Sequence, residues 1–546
     1  MGAEGARQKN LLNLSGKRTE TDKKIIILSV ISIFRATEFP SVTFLFFQTN
    51  ERLVSKMAVL QTIVDTINTY LSDYILIFLL VGCGLYFSIR TRFVQVRCFG
   101  EGMKNVFGNI KLRGGNKEGG LSSFQALATA VAAQVGTGNV VGACAAIFVG
   151  GPGAIFWMWI IAFLGMATIY SEAVLAQKTK VTNEDGSVEG GPIYYIKTAF
   201  SGRFGKILAG FFAVSAIIAL GFVGAMVQSN SIASNFANVF AGFGWDATAV
   251  KVTVGIIVAT CAGLVLIGGT KRLASVTEKI VPIMAILYIV GGLLVLAINI
   301  TSLPQAIGAI FKYAFVPQAL IGGGIGAALK SAISQGAKRG LFSNEAGMGS
   351  TPHAHALADV KDPHTQGTTA MIGVFIDTFI VLTMTALVVI STLYCGDGAI
   401  VTPESYTALI EGGFDKSSMA QMAFAATFSK LFGDTAGNII GGFFVAICLF
   451  FFAFSTILSW NYFGKVNFSY IFGKKSTLVY SIIAVVFVFL GAIFQNDLVW
   501  ALTDMFNNLM VIPNVIALVA LGGTVVSLTK FTKKNELDPG REEITK

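Results

Sequence analysis

Charged residues are scarce in this sequence. Lys, Arg, Asp and Glu make up 13% of the 546 residues, about half of the roughly 25% that soluble domains carry. That deficit excludes an ordinary globular enzyme. Proline is sparse as well, at 11 residues, whereas glycine reaches 60. Abundant glycine is typical of membrane helices, because small residues let two backbones approach closely.

Several chemical signatures are also missing. The six cysteines form no C-x-x-C pair, so they predict neither a disulfide framework nor a metal site. The sequence has no Walker motif for ATP and no G-x-S-x-G nucleophile turn. We therefore expect no enzymatic activity and no cofactor. The net charge of +10 is spread over short loops, which argues against binding to nucleic acid.

Long apolar runs dominate what is present. Each has about twenty residues, enough to cross the ~30 Å hydrocarbon core of a bilayer as a helix. The pattern predicts an all-α polytopic membrane protein with eleven transmembrane helices. The predicted spans are 71–89, 122–149, 153–176, 207–238, 249–269, 279–299, 318–349, 367–393, 437–460, 477–495 and 498–528.

Basic residues are concentrated in alternate loops. The most basic loop, 90–117, is expected to lie on the cytoplasmic lipid surface as an amphipathic helix. Because cytoplasmic loops carry an excess of Lys and Arg, the pattern places the C-terminus in the cytoplasm. The basic segment 1–56 disagrees with that scheme. Its apolar stretch from Ile25 to Phe47 could be a targeting segment or an extra helix. We interpret 1–56 as an N-terminal extension, disordered or not part of the native protein, with Met57 as the true start.

The span at 122–149 does not look like a plain membrane helix. Its centre reads QVGTGNVVG, from Gln134 to Gly142, and combines glycines with polar residues. Glycine favours departure from helical geometry, and polar groups in lipid need partners. A helix broken here would free N–H groups, which suit a carboxylate, and carbonyl groups, which suit a cation. The alternative is a close contact between two helices, the usual role of glycine in a membrane.

A second irregular span, 318–349, repeats this pattern and ends in the polar run from Ser343 to Glu345. Each irregular span begins a set of five spans, so the second half is inserted upside down. That correspondence indicates an inverted-repeat secondary transporter, whose site lies between the two broken helices. The glycines of the second span are Gly322, Gly323, Gly324, Gly326, Gly336, Gly340, Gly347 and Gly349.

The pattern divides the chain into five parts. Residues 57–120 hold the first membrane helix and the basic amphipathic segment. Two five-helix repeats follow, and a cytoplasmic tail ends the chain. The N-terminal extension is 1–56, and the first helix with its basic segment is 57–120. The two repeats are 121–300 and 301–529, and the tail is 530–546.

Four separated motifs resemble those of a known family, the alanine or glycine:cation symporters. The likeness extends from about Met57 to near Lys534. It implies a leucine-transporter-like fold of ten core helices in two inverted repeats, preceded by one extra helix, in a bacterial or archaeal plasma membrane. The motifs are QVGTGNVVG (Gln134 to Gly142), GGPIYYI (Gly190 to Ile196), NEAGMGSTPHAHA (Asn344 to Ala356) and STILSWNYFG (Ser455 to Gly464).

The resemblance further implies symport of alanine or glycine with sodium by alternating access. The N–H groups of Gly136, Thr137 and Gly138 would hold the substrate carboxylate, with the Asn139 side chain close by. The substrate ammonium would meet oxygen atoms at the second break. The residues implied there are Phe342, Ser343 and Asn344. Sodium would lie among the backbone carbonyls of Ala132 and Val135 and the hydroxyls of Ser455 and Thr456.

Two residues of apolar spans are ambiguous. The amide of Gln228 needs hydrogen bonds inside the protein, so it either contacts substrate or clamps two helices together. Trp460 near the end of the ninth span either walls the substrate pocket or anchors the helix at the membrane interface. The sequence leaves both alternatives open.

Two carboxylates lie at membrane depth, where an ionisable group is costly. Glu345 could bind the cation, relay a proton or pair with Lys338 or Arg339, and we expect the pairing or a structural role. Asp377 in the eighth span could couple a cation or pair with a basic residue, and we again expect structural pairing.

Three histidines, His353, His355 and His364, cluster after the second irregular span. The H-x-H spacing of the first two is compatible with zinc, but no cysteine accompanies it. Histidines in loops are commonly solvated. We therefore expect three solvated histidines and no metal.

Other readings remain open from the residues alone. The same fold could carry serine or a nucleobase, or couple to protons. A membrane-embedded enzyme would need a catalytic constellation, and a channel would need a continuous polar pore. The expected partners are a small amino acid, sodium and the lipid bilayer. The sequence does not determine the oligomeric state.

Overall fold

The computed structural model describes residues 58–108, 121–184, 186–316, 325–395, 416–494 and 497–530. The N-terminal extension, the glycine run at 318–324 and nearly all of the predicted tail lie outside the described residues. The described part is mostly helical. Its small antiparallel hairpin pairs two strands of two residues each, β1 (Val181–Thr182) and β2 (Val188–Glu189).

The helices follow one another through short connections. They are α1 (Ala58–Arg90), α2 (Val94–Arg97), α3 (Phe99–Phe107), α4 (Ser123–Gln134), α5 (Gly138–Gly150), α6 (Ala154–Thr179), α7 (Pro192–Ala199), α8 (Gly202–Ala241), α9 (Ala247–Ile267), α10 (Gly269–Ile298), α11 (Leu303–Phe315), α12 (Ile325–Asn344), α13 (Pro352–His355), α14 (Pro363–Tyr394), α15 (Met419–Phe432), α16 (Asp434–Phe472), α17 (Lys474–Ile493), α18 (Asp497–Ala520) and α19 (Gly522–Leu528).

Nine helices of the described part are long and apolar enough to cross a membrane: α1, α6, α8, α9, α10, α14, α16, α17 and α18. The bent pair α4 and α5 makes a tenth. The predicted count of eleven is therefore not reached. The remaining candidate is α12, which carries Lys330, Lys338 and Arg339, and much of its predicted apolar start lies outside the described residues.

Several predicted spans are shorter than the helices of the structure. Helix α1 begins at Ala58 rather than at 71, α10 already begins at Gly269, and α16 continues to Phe472. The predicted loops 270–279 and 461–476 are thus mostly helical. Basic side chains extend from the ends of membrane helices to the headgroups, so a helix can continue beyond its apolar run.

The first predicted break is present between α4 and α5. Helix α4 begins with a capping box, in which Ser122 and Gln125 satisfy each other's backbone N–H groups, and it ends at Gln134. Val135 has a non-helical backbone with φ −79° and ψ 85°. The two helices then meet at 46°. This bend interrupts the regular hydrogen-bond ladder within the Gln134 to Gly142 motif.

The chain also leaves helical geometry after α12. Glu345 follows at φ +58°, a left-handed conformation that is costly for a residue with a side chain. Gly347 and Gly349 adopt φ +90° and +82°, where glycine bears no such cost. Helical structure resumes only in the short α13. The segment from Glu345 to Thr351 is therefore a second interruption.

The two interruptions touch each other in the middle of the helix packing. A Cβ atom added to Gly138 would lie 3.0 Å from Cα of Ser343. Helix α4 packs against α10 and α16, while α12 packs against α5 and α6. Glycine is required at the crossing because a side chain would push the two backbones apart.

Candidate functional site

The freed N–H groups of the first break face amide side chains. The Gly136 N–H donates to Oδ1 of Asn139 at 3.0 Å, and the Thr137 N–H donates to Oε1 of Gln228 at 3.1 Å. Gln228 thus reaches from α8 to the break. This bond clamps α8 to the predicted substrate-binding backbone, so the contact fits both predicted roles of Gln228.

Asp377 joins the two interruptions. Its carboxylate accepts hydrogen bonds from Nδ2 of Asn139 at 2.6 Å and from Oγ of Ser343 at 2.9 Å. Thr378 Oγ1 donates a third at 2.8 Å. The expected basic partner is wrong: the hydrogen-bond donors found for this buried carboxylate are neutral. These donors satisfy its oxygen atoms but bring no opposite charge to the predicted substrate site.

Glu345 also lacks the predicted basic partners. Its carboxylate accepts hydrogen bonds from Nε1 of Trp460 at 2.5 Å and from the Ser350 hydroxyl. Lys338 and Arg339 instead bond to Asp504, at 3.1 and 3.3 Å. The left-handed turn at Glu345 explains the difference, because it carries the side chain off the face of α12 that presents the two basic residues.

Trp460 is buried rather than placed at a membrane interface, with 1% of its surface exposed. Its ring packs edge-on against Phe342 at a centroid distance of 5.8 Å. Phe342 in turn approaches Trp500 at 5.7 Å. The interfacial-anchor alternative is therefore wrong. The three aromatic rings form one apolar wall beside the two interruptions.

Three of the four predicted sodium ligands come together. Thr456 donates to the Ala132 carbonyl at 2.9 Å and Ser455 to the same carbonyl at 3.4 Å. Thr456 is also 3.2 Å from the Ala133 carbonyl. Among the hydrogen bonds found between described residues, neither hydroxyl reaches the carbonyl of Val135.

Asn344 links the interruptions a second time. Its carbonyl accepts a hydrogen bond from Nε2 of Gln134 at 2.8 Å, and its Nδ2 lies 3.4 Å from Oγ1 of Thr378. Thr137, in contrast, has a buried hydroxyl without a hydrogen-bond partner among the described residues. A buried polar atom left unpaired is costly, so this hydroxyl is suited to a polar ligand.

The sequence pattern of the sodium:alanine symporter family matches residues 57–544. This chain belongs to that family. The symporter is 40% identical over 479 residues to the "sodium/alanine symporter AgcS" of Methanococcus maripaludis, covering 87% of this chain and 98% of the relative. It is 39% identical over 487 residues to a "putative sodium/proton-dependent alanine carrier protein YrbD" of Bacillus subtilis, covering 87% and 94%.

A further relative is an "uncharacterized transporter" of Haemophilus influenzae, 39% identical over 472 residues, with 86% of this chain and 96% of the relative covered. Membership of the family confirms the resemblance drawn from the motifs. The symporter is a multi-pass membrane transporter and not an enzyme, as expected.

A third buried carboxylate of the symporter, Glu172, was not among the residues predicted from the sequence. Glu172 on α6 accepts hydrogen bonds from the Gly347 N–H at 3.1 Å and from Nδ2 of Asn514 at 2.6 Å. Asn514 also donates to the Gly347 carbonyl at 2.9 Å, and Tyr195 donates to Asn514. This network holds the left-handed backbone of the second interruption. The sequence could have indicated this site, because Glu172 is an acidic residue within the apolar run 153–176, and such residues are usually functional.

All three histidines of the symporter are buried, so their predicted solvation is wrong. His353 bonds to the Ser350 carbonyl at 2.7 Å, and its ring stacks on Phe463 at 5.5 Å. His355 bonds to Gln366 at 2.9 Å. His353 and His355 lie on α13, which packs between α4, α6 and α16 instead of facing solvent, and His364 lies on the first turn of α14.

Asp504 pairs with two of the three basic residues of α12, Lys338 and Arg339, so its removal is expected to destabilise the symporter. Asp504→Asn leaves Lys338 and Arg339 largely buried without an anion, at a cost of about 3 kcal/mol. Thermal unfolding in detergent measures the effect. Asp497→Asn, at the exposed start of the same helix, is the control. Equal melting temperatures for both variants would contradict a stabilising role for this ion cluster.

Proposed function

We propose that this symporter imports alanine or glycine together with sodium by alternating access in the plasma membrane of a bacterium or archaeon. Two inverted repeats, 121–300 and 301–529, follow one extra helix, and α12 completes the eleven membrane helices. The contact between the two interruptions is the observation that carries this proposal. The excess of basic residues in alternate loops supports a cytoplasmic C-terminus.

The first interruption binds the substrate carboxylate through the N–H groups of Gly136, Thr137 and Gly138. Two of these groups donate to neutral amide oxygens of Asn139 and Gln228. A carboxylate is the stronger acceptor, because a hydrogen bond to a charged group is roughly twice as strong as a neutral one. The unpaired Thr137 hydroxyl supplies one more donor.

The second interruption binds the substrate ammonium. Helix α12 ends at Asn344, and the C-terminal end of a helix carries partial negative charge on its free carbonyls. Phe342, Ser343 and Asn344 supply the oxygen atoms, and Asp377 adds a formal negative charge nearby. The aromatic wall of Phe342 and Trp460 limits the size of the side chain. One extra methylene is worth only ~1 to 3 kcal/mol of selectivity.

Sodium binds where α16 meets the end of α4. Hard cations prefer oxygen ligands, and the hydroxyls of Ser455 and Thr456 converge here with the Ala132 carbonyl. We keep the Val135 carbonyl as the fourth ligand, although the Ala133 carbonyl lies nearer to Thr456. Both sites use the same break, so bound sodium stabilises the break in the conformation that receives the carboxylate. This shared element couples the two fluxes.

Thr456→Ala is expected to raise the sodium concentration needed for half-maximal uptake about tenfold, which is ~1.4 kcal/mol. The change removes one oxygen ligand and leaves the substrate contacts in place. Thr456→Ser keeps the hydroxyl and serves as the matched control. Uptake is measured as a function of sodium at saturating alanine. An unaltered sodium dependence in the alanine variant would reject this residue as a ligand.

Uptake into proteoliposomes tests the function itself. With purified protein and labelled alanine, we expect saturable uptake under an inward sodium gradient and none under a potassium gradient of equal size. Uptake driven by a proton gradient without sodium would favour the proton-coupled alternative. Stronger competition by unlabelled serine or a nucleobase than by glycine would favour another cargo. Flux that does not saturate would indicate a channel.

A further inference from the structure

Three metal-ligating side chains converge away from the transport site, between α3 and the start of α14. They are Cys98, Glu101 and His364, and their ligand atoms all lie within 4.8 Å of one another. Cys98 and Glu101 are three positions apart at the beginning of α3, which places them on one side of the helix. His364 is on the first turn of α14. The cluster therefore joins two separate elements of the fold.

The ligand types match those of zinc. Thiolate sulfur, imidazole nitrogen and carboxylate oxygen bind zinc at about 2.0 to 2.3 Å, so two tetrahedral ligands stand roughly 3.3 to 3.8 Å apart. Nε2 of His364 and Oε2 of Glu101 are already 3.4 Å apart. Cys98 and His364 are buried, whereas the Glu101 side chain is 44% exposed. Glu101 is thus free to close on an ion that enters from solvent.

Nε2 of His364 faces the cluster and Nδ1 faces Tyr170, so the hydrogen bonds around Tyr170 bear on which nitrogen carries the proton. Thr529 donates its hydroxyl hydrogen to the Val525 carbonyl at 2.8 Å, so it accepts the bond from the Tyr170 hydroxyl at 3.1 Å. The Tyr170 hydrogen is therefore committed to Thr529. Tyr170 is also 2.7 Å from Nδ1 of His364, and with its hydrogen on Thr529 the Tyr170 oxygen accepts from a protonated Nδ1.

With Nδ1 protonated, a neutral His364 presents the lone pair of Nε2 to Cys98 and Glu101. This is the tautomer that a metal ligand needs, and a hydrogen bond on the far nitrogen is the usual support of a metal-binding histidine. The same lone pair faces a carboxylate oxygen at 3.4 Å. Two acceptors at this distance need a cation between them, either a second proton on the ring or a metal.

We propose that Cys98, Glu101 and His364 form a binding site for a zinc-like divalent metal that links α3 to the first turn of α14. On binding, the thiol releases its proton to solvent, and one thiolate and one carboxylate neutralise the charge of the ion. A water molecule takes the fourth position on the open side. The proposal does not depend on the transport mechanism, because none of the three residues touches the substrate or sodium site.

Cobalt(II) is the probe, because a thiolate ligand gives it a charge-transfer absorption band that other ligand types lack. The full-length protein is purified without a polyhistidine tag, freed of metal and titrated with cobalt. We expect a band that saturates at one cobalt per chain and disappears on addition of zinc. Cys98→Ser is expected to abolish the band. The control is Cys395→Ser, which changes a half-buried cysteine elsewhere in the protein and should retain the band. No band, or a band that persists in Cys98→Ser, would overturn the proposal.

Two further variants guard against misfolding as the explanation. Glu101→Gln changes an exposed side chain, and we expect it to remove the rise in melting temperature that zinc gives the unmodified protein. Tyr170→Phe keeps all three ligands but frees the ring of His364, and we expect about tenfold weaker cobalt binding. If zinc does not raise the melting temperature of the unmodified protein, the cluster is only an ion pair between protonated His364 and Glu101, and the proposal is wrong.

Discussion

Gly138→Leu is expected to reduce sodium-driven alanine uptake to background. A Cβ atom added at this position would lie 3.0 Å from Cα of Ser343 and 3.1 Å from the Phe342 ring. The Ser343 neighbour is backbone and cannot rotate away, so a leucine must separate the two interruptions. The substitution then disrupts the carboxylate and ammonium ends of the site together. Initial rates of labelled alanine uptake in proteoliposomes measure the loss.

Gly210→Leu is the matched control for this prediction. Gly210 lies in α8, and a Cβ atom there has nothing within 4 Å. The same change in side-chain volume should therefore leave uptake unchanged. Gel filtration in detergent establishes that both variants are folded. Normal uptake by a folded Gly138→Leu variant would show that the close approach of the interruptions is not needed for transport.

Asp377→Asn is expected to lower alanine uptake about 100-fold. The variant keeps the size of the side chain but replaces one acceptor oxygen by an NH₂ donor. With the amide oxygen accepting from Nδ2 of Asn139, the NH₂ group meets Oγ of Ser343, a hydroxyl that can accept as well as donate, so the contacts remain only as neutral hydrogen bonds. Loss of the negative charge and of its charge-assisted bonds costs roughly 3 kcal/mol, which corresponds to the expected factor.

The measurement separates binding from stability. Alanine binding to the purified variant should weaken by a similar factor at saturating sodium, since Asp377 contacts both interruptions. Asp434→Asn, an exposed acid at the start of α16, should bind alanine normally. A variant that binds alanine normally but unfolds at a lower temperature would assign Asp377 a purely structural role.

The presence of the first interruption could be predicted from sequence. Glycines and polar residues between Gln134 and Gly142 stand out against an apolar run, and an unpaired polar group is costly in lipid. The presence of many membrane helices follows equally directly from hydropathy. The number of helices did not follow, because α12 carries three basic residues within a segment that was predicted as a membrane span.

Partners of the buried carboxylates could not be predicted. Glu345 lies close in sequence to Lys338 and Arg339, and nearness suggested an ion pair. The left-handed turn directs Glu345 to Trp460, which is 115 residues further along the chain. Such a partner depends on how helices pack, which local sequence does not contain. The Glu172 network was missed for the same reason, since it draws on α6, α18 and the second interruption.

An experimental density map of the symporter with alanine and sodium bound tests the central claim most directly. We expect the alanine carboxylate within hydrogen-bond distance of the N–H groups of Gly136 to Gly138, and its ammonium beside Ser343 and Asp377. Sodium should lie between the Ala132 carbonyl and Thr456. A map with both helices continuous through the membrane, or with alanine bound away from the two interruptions, would contradict the account.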